Sequence, residues 1–259
     1  MMDLKNMSAH EVGNFLQKLS IEEKLKYITI LKDDNRKTIK KFADKIEREY
    51  SKFIGERERI LKMCKIENEL YNQNYNLIAG IDEAGRGPLA GPVVAAAVIL
   101  PKDKLIFGIN DSKKIPEKKR YKLYDIINEV AIDVGIGIVD NEIIDKINIF
   151  NATKLAMKKA VLSLKNKPDF LLIDALKLTD INIKQKEIVK GDSLSISIAA
   201  ASIVAKVTRD RIVIEYEKKY PGYGFKNHKG YGTKEHYKAI KEFGITPFHR
   251  KTFLKSLGD

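Results

Sequence analysis

Short apolar runs recur between residues 77 and 192, and their spacing predicts five β-strands. The runs LIAGIDEAG and PVVAAAVILP are joined by a turn rich in Gly and Pro, and AIDVGIGIVD at 131–140 alternates apolar residues with glycines. PDFLLIDAL at 168–176 is a short apolar run, and INIKQKEIVKGD at 181–192 alternates apolar and polar residues. Runs of this length bounded by Gly and Pro are typical of strands.

Apolar residues spaced three and four apart predict helices between and after these strands. The predicted helices cover 115–130, 149–165, 195–220 and 233–244, and a short tail follows from Arg250. The first three strands come early, with one helix between the second and the third, and longer helices precede and follow the last two strands. We therefore expect an α/β fold in which helices flank a mixed five-stranded sheet.

Residues 1–72 have a different pattern, with no proline and with Lys, Glu and Leu at helical spacing. We expect a small helical N-terminal extension of two to four helices, in which Ser20 and Glu23 form a capping box. YNQNYN at 71–76 is interpreted as a linker, so the expected catalytic or binding domain covers 73–259. A chain beginning near Asn72 is expected to fold by itself.

Composition and charge narrow the class of protein. No stretch has the roughly 20 apolar residues of a membrane span, and the N-terminus lacks the apolar segment of a secretory signal, so we expect a cytoplasmic protein. We also expect a monomer. A single cysteine, Cys64, excludes an internal disulfide and a cysteine-based zinc site. The net charge of +13 favours a polyanionic partner such as nucleic acid, although a lysine-rich composition alone would produce the same charge.

Four acids stand near the ends of predicted strands: Asp82 and Glu83 after the first, Asp174 after the fourth, and Asp192 after the fifth. Ligands gather at strand ends in α/β sheets, and several carboxylates suit a hard divalent cation. Adjacent strand residues point to opposite faces, which argues against a shared site for Asp82 and Glu83. Solvated acids, or a helix cap in the case of Asp192, are the alternatives, and spacing alone leaves the choice open.

Several longer motifs resemble bacterial ribonuclease HII, in the family's order from about residue 75 to 256. They are GIDEAGRGPLAGPVVAAAVIL, NDSKK at 110–114, LLIDA at 171–175, KGDSLSISIAAASIVAKVTRDR at 190–211, KKYPGYGFKNHKGYGTKEHYKAI at 218–240 and TPFHRKTF at 246–253. The resemblance implies the ribonuclease H-like sheet. It also implies an enzyme that cuts the RNA strand of RNA–DNA hybrids and incises 5′ of single ribonucleotides in duplex DNA, leaving 5′-phosphates.

The resemblance also implies which residues do this. The catalytic, metal-binding acids would be Asp82, Glu83, Asp174 and Asp192, holding Mn²⁺ or Mg²⁺ in a two-metal mechanism. One departure is Ala175, where the family often has glycine. The expected partners are RNA–DNA hybrids and duplex DNA that contains ribonucleotides, with no membrane.

On the substrate side, the resemblance implies that the turn Gly85-Arg86-Gly87 approaches the minor groove and senses the ribonucleotide 2′-hydroxyl, the group that distinguishes RNA from DNA. Tyr231 would stack on the neighbouring deoxyribose. Basic residues are candidate phosphate contacts: Lys113, Lys114, Lys206, Arg209 and Arg211. His249 is expected to be a structural or substrate-side residue rather than a general base.

Three other interpretations remain. A ribonuclease HIII-like hybrid nuclease would be expected to carry a β-rich N-terminal domain and to lack the GRG turn. A resolvase or transposase domain would share the carboxylates but not GRGPLAGP with HKGYGT. A non-catalytic RNA–DNA-binding protein would have no need of four clustered acids. The sequence does not determine the role of residues 1–72, the metal used in the cell, protein partners, or the preference between single ribonucleotides and long hybrids.

Overall fold

The computed structural model describes residues 4–254, so residues 1–3 of the predicted extension and 255–259 of the predicted second domain lie outside it. The chain forms two compact units, Met1–Arg59 and Ile60–Asp259. The division falls before the domain limit that we predict at residue 72, which stays a prediction. No helix between residues 4 and 254 is both long enough and apolar enough to cross a membrane.

The first unit is helical because apolar residues recur on one side of each short helix. It contains α1 (Ala9–Gln17), α2 (Ile21–Leu25), α3 (Ile28–Lys32) and most of α4 (Lys37–Met63). The predicted capping box of Ser20 and Glu23 is confirmed, and Ser8 forms another with Glu11. A separate core holds this unit together, formed by Leu4, Val12, Leu16, Leu31, Ile39, Ala43 and Ile46. With α5 (Lys65–Tyr71), residues 9–71 contain five helices, one more than the upper limit expected.

The second unit is built on a sheet of five strands within the described residues, and the expected mixed sheet is confirmed. The strands are β1 (Ile78–Ala84), β2 (Val93–Ile99), β3 (Asp133–Val139), β4 (Phe170–Asp174) and β5 (Lys184–Ile188). Their spatial order is β3-β2-β1-β4-β5. The first three strands pair antiparallel, whereas β4 lies parallel to both β1 and β5. The carboxyl ends of β1, β4 and β5 therefore meet at one edge.

Helices cover both faces of the sheet. On one face lie α6 (Glu117–Val130) and α9 (Ile196–Lys219), and on the other lies α7 (Asn141–Leu162). Small residues allow these helices to approach closely. A Cβ on Gly80 would overlap the backbone of Ser197, and one on Gly137 would overlap the backbone of Ala156. Because both faces are covered, every residue of β2 is buried.

The other helical segments of the described residues are short. They are α8 (Gly191–Leu194), α10 (Phe225–His228), α11 (Lys234–Phe243) and two 3₁₀ turns, Ser112–Lys114 and Lys251–Phe253. The helix expected from residue 149 is present as the second part of α7, because Asn148, with φ 64°, is not helical and divides α7 in two. The Asn148 side chain accepts a hydrogen bond from the Asn151 amide at 3.1 Å at the start of this part. The first part, residues 141–147, is a helical segment that the sequence analysis did not predict. Strand β5 ends at Ile188, so Asp192 lies in α8 and not at the end of the strand.

Residues 60–76 pack into the second unit, and the interpretation of 71–76 as a linker is wrong. Ile60, Met63 and Cys64 join the core beneath α9, and Leu70 packs with Ile78. The Tyr75 ring lies edge-on against Phe170 at 4.8 Å, and the Asn76 amide donates to the Asp169 carboxylate. The polar composition of YNQNYN reflects its position at the surface rather than freedom from the core.

Candidate active site

The candidate active site lies where the carboxyl ends of β1, β4 and β5 meet. Ile81 pairs with Ile173 in the parallel register, so Asp82 and Asp174, one residue further on, lie side by side. The Gly191 amide donates to the Asp174 carboxylate at 2.7 Å, which attaches the start of α8, and with it Asp192, to the same edge. Tertiary pairing thus brings together acids that are up to 110 residues apart in the chain.

Asp82 is the most deeply buried of these acids, with 6% of its surface exposed. Its carboxylate accepts a hydrogen bond from the Glu83 amide at 2.7 Å. Burial raises the pKa of Asp82 well above its ordinary value, and the charges of Glu83 and Asp174 raise it further, whereas the Ser202 hydroxyl opposes the change. Burial and the neighbouring acids therefore both disfavour the ionised form of Asp82.

Glu83 joins the same environment although strand alternation places it on the opposite face from Asp82. Burial raises the pKa of Glu83, Asp174 raises it too, and Arg86 and Lys113 act in the opposite direction. The Arg86 guanidinium reaches Glu83 at 3.4 Å between Nη1 and Oε1. Alternation does not separate the two acids electrostatically, because the charge of Asp174 raises the pKa of both Asp82 and Glu83.

Asp192 has a neighbour that the sequence analysis did not select. Burial raises the pKa of Asp192, followed by the charges of Asp111 and Asp174, and a hydrogen bond with the Asp111 carboxyl group acts in the same direction. Asp111 lies in NDSKK, the motif that also supplies Lys113, whose charge acts on both Glu83 and Asp192. The sequence analysis selected the NDSKK motif but not Asp111, because no apolar strand precedes this acid in the sequence.

The chemistry of these side chains suits a divalent cation. Carboxylate oxygens are hard ligands, and buried acids beside further carboxyl groups are stabilised in their charged form by a positive charge among them. Between residues 4 and 254, no group of three or more His, Cys, Asp or Glu side chains already has the spacing of a metal site. The assignment of metal ligands to Asp82, Glu83, Asp174 and Asp192 therefore stays a prediction, supported by donor type and charge.

Two buried arginines hold the glycine-rich turn after β1. Arg250 donates to the carbonyls of Gly85, Arg86 and Gly91, at 2.6, 2.9 and 3.0 Å. Gly85 has φ 97°, a conformation that favours glycine, and a Cβ there would overlap the Arg209 side chain. The backbone of the turn is therefore held by hydrogen bonds from buried guanidinium groups rather than by its own side chains. Sequence reasoning missed Arg250, which stands in TPFHRKTF without any local sign of this contact.

Arg209 is the other arginine, and its expected role as a phosphate contact is wrong. It is 0% exposed and donates to the carbonyls of Pro92, Ala90 and Lys229. Arg211, by contrast, is exposed over the Tyr124 ring, and Lys206 pairs with Asp210 at 2.8 Å. The sequence places these cations on the same helix but does not show which of them are buried, because only the fold determines which side of α9 faces the core.

Tyr231 lies beside the glycine turn. Its side chain is an exposed aromatic, at 40%, and a Cβ placed on Gly87 would lie 3.9 Å from the ring. The Lys206 ammonium lies 5.6 Å from the centre of the same ring. The structure thus brings together the turn Gly85-Arg86-Gly87 and the tyrosine, as the hypothesis of junction sensing requires.

His249 is buried, and burial lowers its pKa to about 4. A group with this pKa is a poor general base near neutral pH, which agrees with the structural role expected for it. Ala175 has φ 52°, which explains why glycine is common at this position in the family that the motifs resemble.

Comparisons with known proteins support the predicted resemblance. A family model described as Ribonuclease HII matches residues 79–256, and one described as Ribonuclease HII N-terminal domain matches residues 8–71. The ribonuclease HII of Acetivibrio thermocellus is 57% identical over 251 residues, covering 97% of this chain and 98% of that protein. The ribonuclease HII of Clostridioides difficile is 54% identical, covering 98% of this chain and 100% of that protein.

A solved structure agrees with the architecture. The ribonuclease H2 from Pyrococcus horikoshii superimposes with a TM-score of 0.56 at 27% identity, covering 68% of this chain and 92% of that one. The expected ribonuclease H-like sheet is therefore confirmed.

Proposed function

This chain belongs to the ribonuclease HII family and is a ribonuclease H, and from that premise we propose that it incises duplex DNA on the 5′ side of single embedded ribonucleotides. The observation that carries the proposal is one surface on which three features adjoin. They are the group of acids at the ends of β1 and β4, the clamped turn Gly85-Arg86-Gly87, and the exposed ring of Tyr231.

We propose that Asp82, Glu83, Asp174 and Asp192 hold one or two divalent cations, Mg²⁺ or Mn²⁺. When bound, such ions activate water and stabilise the leaving oxygen of a phosphodiester. The protein's own contribution is to orient the ligands. Asp82 is fixed by the Glu83 amide, and Asp174 by the Gly191 amide at 2.7 Å. Lys113 is an exposed cation beside Glu83 and Asp192, where it would contact a phosphate of the substrate.

Recognition of the ribonucleotide is assigned to the turn and the tyrosine. Gly87 is exposed and has no side chain, so the backbone can approach a 2′-hydroxyl in the minor groove. The adjoining Tyr231 ring offers an apolar face to a sugar that lacks this hydroxyl. Because the two features adjoin, one substrate placement would satisfy both at an RNA–DNA junction.

The alternatives account for fewer of these observations. A non-catalytic binder gains nothing from burying several mutually repelling acids, which costs folding free energy. A ribonuclease HIII-like enzyme would be expected to lack the GRG turn, and here the N-terminal unit is helical. The monomeric state and the cytoplasmic location expected from the sequence remain proposals, which light scattering and cell fractionation test.

The test is an assay on a DNA duplex that contains one ribonucleotide, with Mg²⁺, Mn²⁺ and EDTA compared. We expect incision 5′ of the ribonucleotide, leaving 3′-hydroxyl and 5′-phosphate ends, and no activity in EDTA. Asp174→Asn should lower turnover by orders of magnitude with little loss of substrate binding. Asp180→Asn, at an exposed acid beyond the same strand, is the matched control and should retain activity. Near-normal turnover of Asp174→Asn would contradict the assignment.

A further inference from the structure

Three buried histidines lie directly beneath the loop that carries Tyr231, and the proposed chemistry uses none of them. His228, His236 and His249, here called the histidine cluster, are 7%, 0% and 1% exposed. The rings of His228 and His236 stack at 4.3 Å, and those of His236 and His249 lie 5.1 Å apart. Each ring nitrogen has a defined partner, so the positions of the ring protons follow from the geometry.

The chain of hydrogen bonds begins at His249. The Thr246 amide donates to His249 Nδ1 at 2.8 Å, and a nitrogen that accepts from an N–H carries no proton of its own. The proton of a neutral His249 is therefore on Nε2. A ring with no proton on either nitrogen would be an imidazolate anion, which does not form at neutral pH.

This proton determines the state of His236. His249 Nε2 lies 3.0 Å from His236 Nε2, so the first donates and the second accepts. The proton of His236 is then on Nδ1, which lies 3.0 Å from the carbonyl oxygen of Tyr231 and donates to it. A chain of hydrogen bonds, here called the relay, thus runs in one direction from the Thr246 amide through two imidazoles to the Tyr231 carbonyl, with no proton transfer implied.

His228 fixes the other side of the same loop. Its Nδ1 accepts from the Gly230 amide at 3.1 Å, and its Nε2 donates to the Tyr223 carbonyl at 2.8 Å. The Tyr231 amide donates to the His228 carbonyl. Both backbone groups of Tyr231 therefore bond to residues of the histidine cluster.

We propose that His228, His236 and His249 are positioning residues that hold Tyr231 against the glycine turn through hydrogen bonds that only neutral imidazoles can form, and that they thereby set the preference for the RNA–DNA junction. This inference rests on the proposed role of Tyr231. A proton added to any of the three accepting nitrogens would place a donor against a donor. Burial lowers the pKa of His236 and of His249 to about 4, in agreement with neutral rings.

The relay can be observed without any assay of activity. The ¹⁵N shifts of histidine ring nitrogens separate protonated from unprotonated positions, and the chain has only four histidines. In the full-length protein at neutral pH, we expect protons on Nε2 of His228 and His249 and on Nδ1 of His236. A proton on Nε2 of His236 would overturn the relay, and hence the proposal.

Two substitutions of His236 separate positioning from general support. The amide of Asn lies near the place of Nδ1, so His236→Asn retains a donor toward the Tyr231 carbonyl. The amide of Gln lies near the place of Nε2, so His236→Gln retains the contact with His249 and loses the one with Tyr231. We expect similar losses of thermal stability, because each variant removes one bond of the buried relay.

The decisive readout is the ratio of kcat/KM on a one-ribonucleotide duplex to that on a uniform RNA–DNA hybrid. We expect His236→Gln to lower this ratio about fivefold, the equivalent of one hydrogen bond, mainly through KM on the duplex. His236→Asn should keep the wild-type ratio. Equal ratios in both variants would reduce the cluster to a purely structural role and overturn the proposal.

Tyr231→Ala distinguishes failure of the proposed role of Tyr231 from failure of the positioning role of the histidine cluster. If this variant lowers the ratio while His236→Gln does not, the positioning inference fails and the role of Tyr231 stands. If Tyr231→Ala leaves the ratio unchanged, the proposed role of Tyr231 fails, and with it the inference, even where the ring protons are found as expected. Should neither His236 variant fold, the ring-proton positions in the wild-type protein decide the relay.

Discussion

At the scale of single residues, the acids of the candidate site oppose folding when they are ionised and no cation is bound. Asp82 is almost wholly buried beside two further carboxyl groups, and the pKa of its carboxyl group is raised by burial first and then by Glu83 and Asp174. A raised pKa means that the folded state disfavours the charged form, so the ionised acid weakens the protein above its unfolded pKa. A bound cation would remove this penalty.

Asp82→Asn should therefore stabilise the metal-free protein while abolishing activity. The neutral amide keeps the shape of the side chain and removes one of the repelling charges. In EDTA at neutral pH we expect the Tm to rise by roughly 2–4 °C, the usual equivalent of about 1 kcal/mol for a domain of this size. Differential scanning calorimetry measures this, with Asp180→Asn as the exposed control. A lower Tm would mean that the carboxylate is not repelled in the folded state.

Two glycines of the same turn differ in what a methyl group would meet. A Cβ at Gly85 would overlap Arg209, and its φ of 97° adds strain, whereas a Cβ at Gly87 meets only the Tyr231 ring at 3.9 Å. We expect Gly85→Ala to lower the Tm. Gly87→Ala should leave the Tm unchanged and lower kcat/KM on a one-ribonucleotide duplex more than on a uniform hybrid. The measurement is both rates with a melting curve. A wild-type ratio in Gly87→Ala would place junction sensing elsewhere.

At the scale of elements, helix α5 is joined to the helix that follows the last acid. Glu67 accepts hydrogen bonds from the Ser195 hydroxyl at 2.5 Å, the Ser197 hydroxyl at 2.6 Å and the Ser197 amide at 3.1 Å. A carboxylate at this position satisfies the free donors at the start of α9 and complements its dipole. Since α9 crosses β1 at Gly80, α5 supports the packing on which the site rests.

The point of truncation should therefore matter. A chain that begins at residue 60 keeps Glu67 and the apolar residues Ile60, Cys64 and Leu70, whereas one that begins at residue 73 loses them. We expect the first to be soluble and active and the second to be strongly destabilised, contrary to the expectation for a chain beginning near Asn72. Thermal melts and the incision assay compare the two. Equal stability would show that α5 is dispensable.

At the scale of the whole molecule, charge is distributed unevenly along the chain. Residues 1–72 contain 16 Lys and Arg against 13 Asp and Glu, so most of the net charge of +13 lies on the remainder. Binding to a polyanion depends on salt through the cations that contact phosphate. The salt dependence of substrate binding is therefore expected to reside mainly in residues 73–259.

The pH dependence of stability has two opposing contributions, one from buried histidines and one from the buried acids. His236 and His249 have a pKa of about 4 in the folded state and about 6.5 when unfolded. The unfolded chain therefore binds more protons in this window, and stability falls as the pH drops from about 6.5 to 4. The raised pKa values of Asp82, Glu83 and Asp192 act with the opposite sign.

A comparison of variants isolates the histidines from the acids. Between pH 6 and 4, the two histidines should lower the free energy of unfolding of the wild type by up to roughly 2.7 kcal/mol per pH unit. The double variant His236→Gln/His249→Gln should lack this contribution. Urea denaturation at each pH gives the free energy of unfolding. His10→Ala, at an exposed histidine outside the cluster, is the matched control. Parallel curves for the wild type and the double variant would exclude the histidines as its source.

Much of the architecture follows from local pattern. The five strands, the long helices and the capping box at Ser20 were predictable because alternation, helical spacing and cap residues act within a few neighbouring residues. The motifs likewise identified the family, because their order along the chain is specific. Local pattern missed the first part of α7, residues 141–147, and it failed at the supposed linker 71–76, where Tyr75 packs against Phe170.

Tertiary structure decided what depends on contacts between distant segments. Arg209 and Arg250 resemble other basic residues in the sequence, and only the fold buries them against the backbone of the turn, 117 and 165 residues away. His228, His236 and His249 carry no local sign of their hydrogen bonds, because the partners are brought together by loops that have no regular period. The chain by itself determined which acids and glycines are present, while long-range packing determined which carboxyl groups repel one another and which side chains hold the tyrosine.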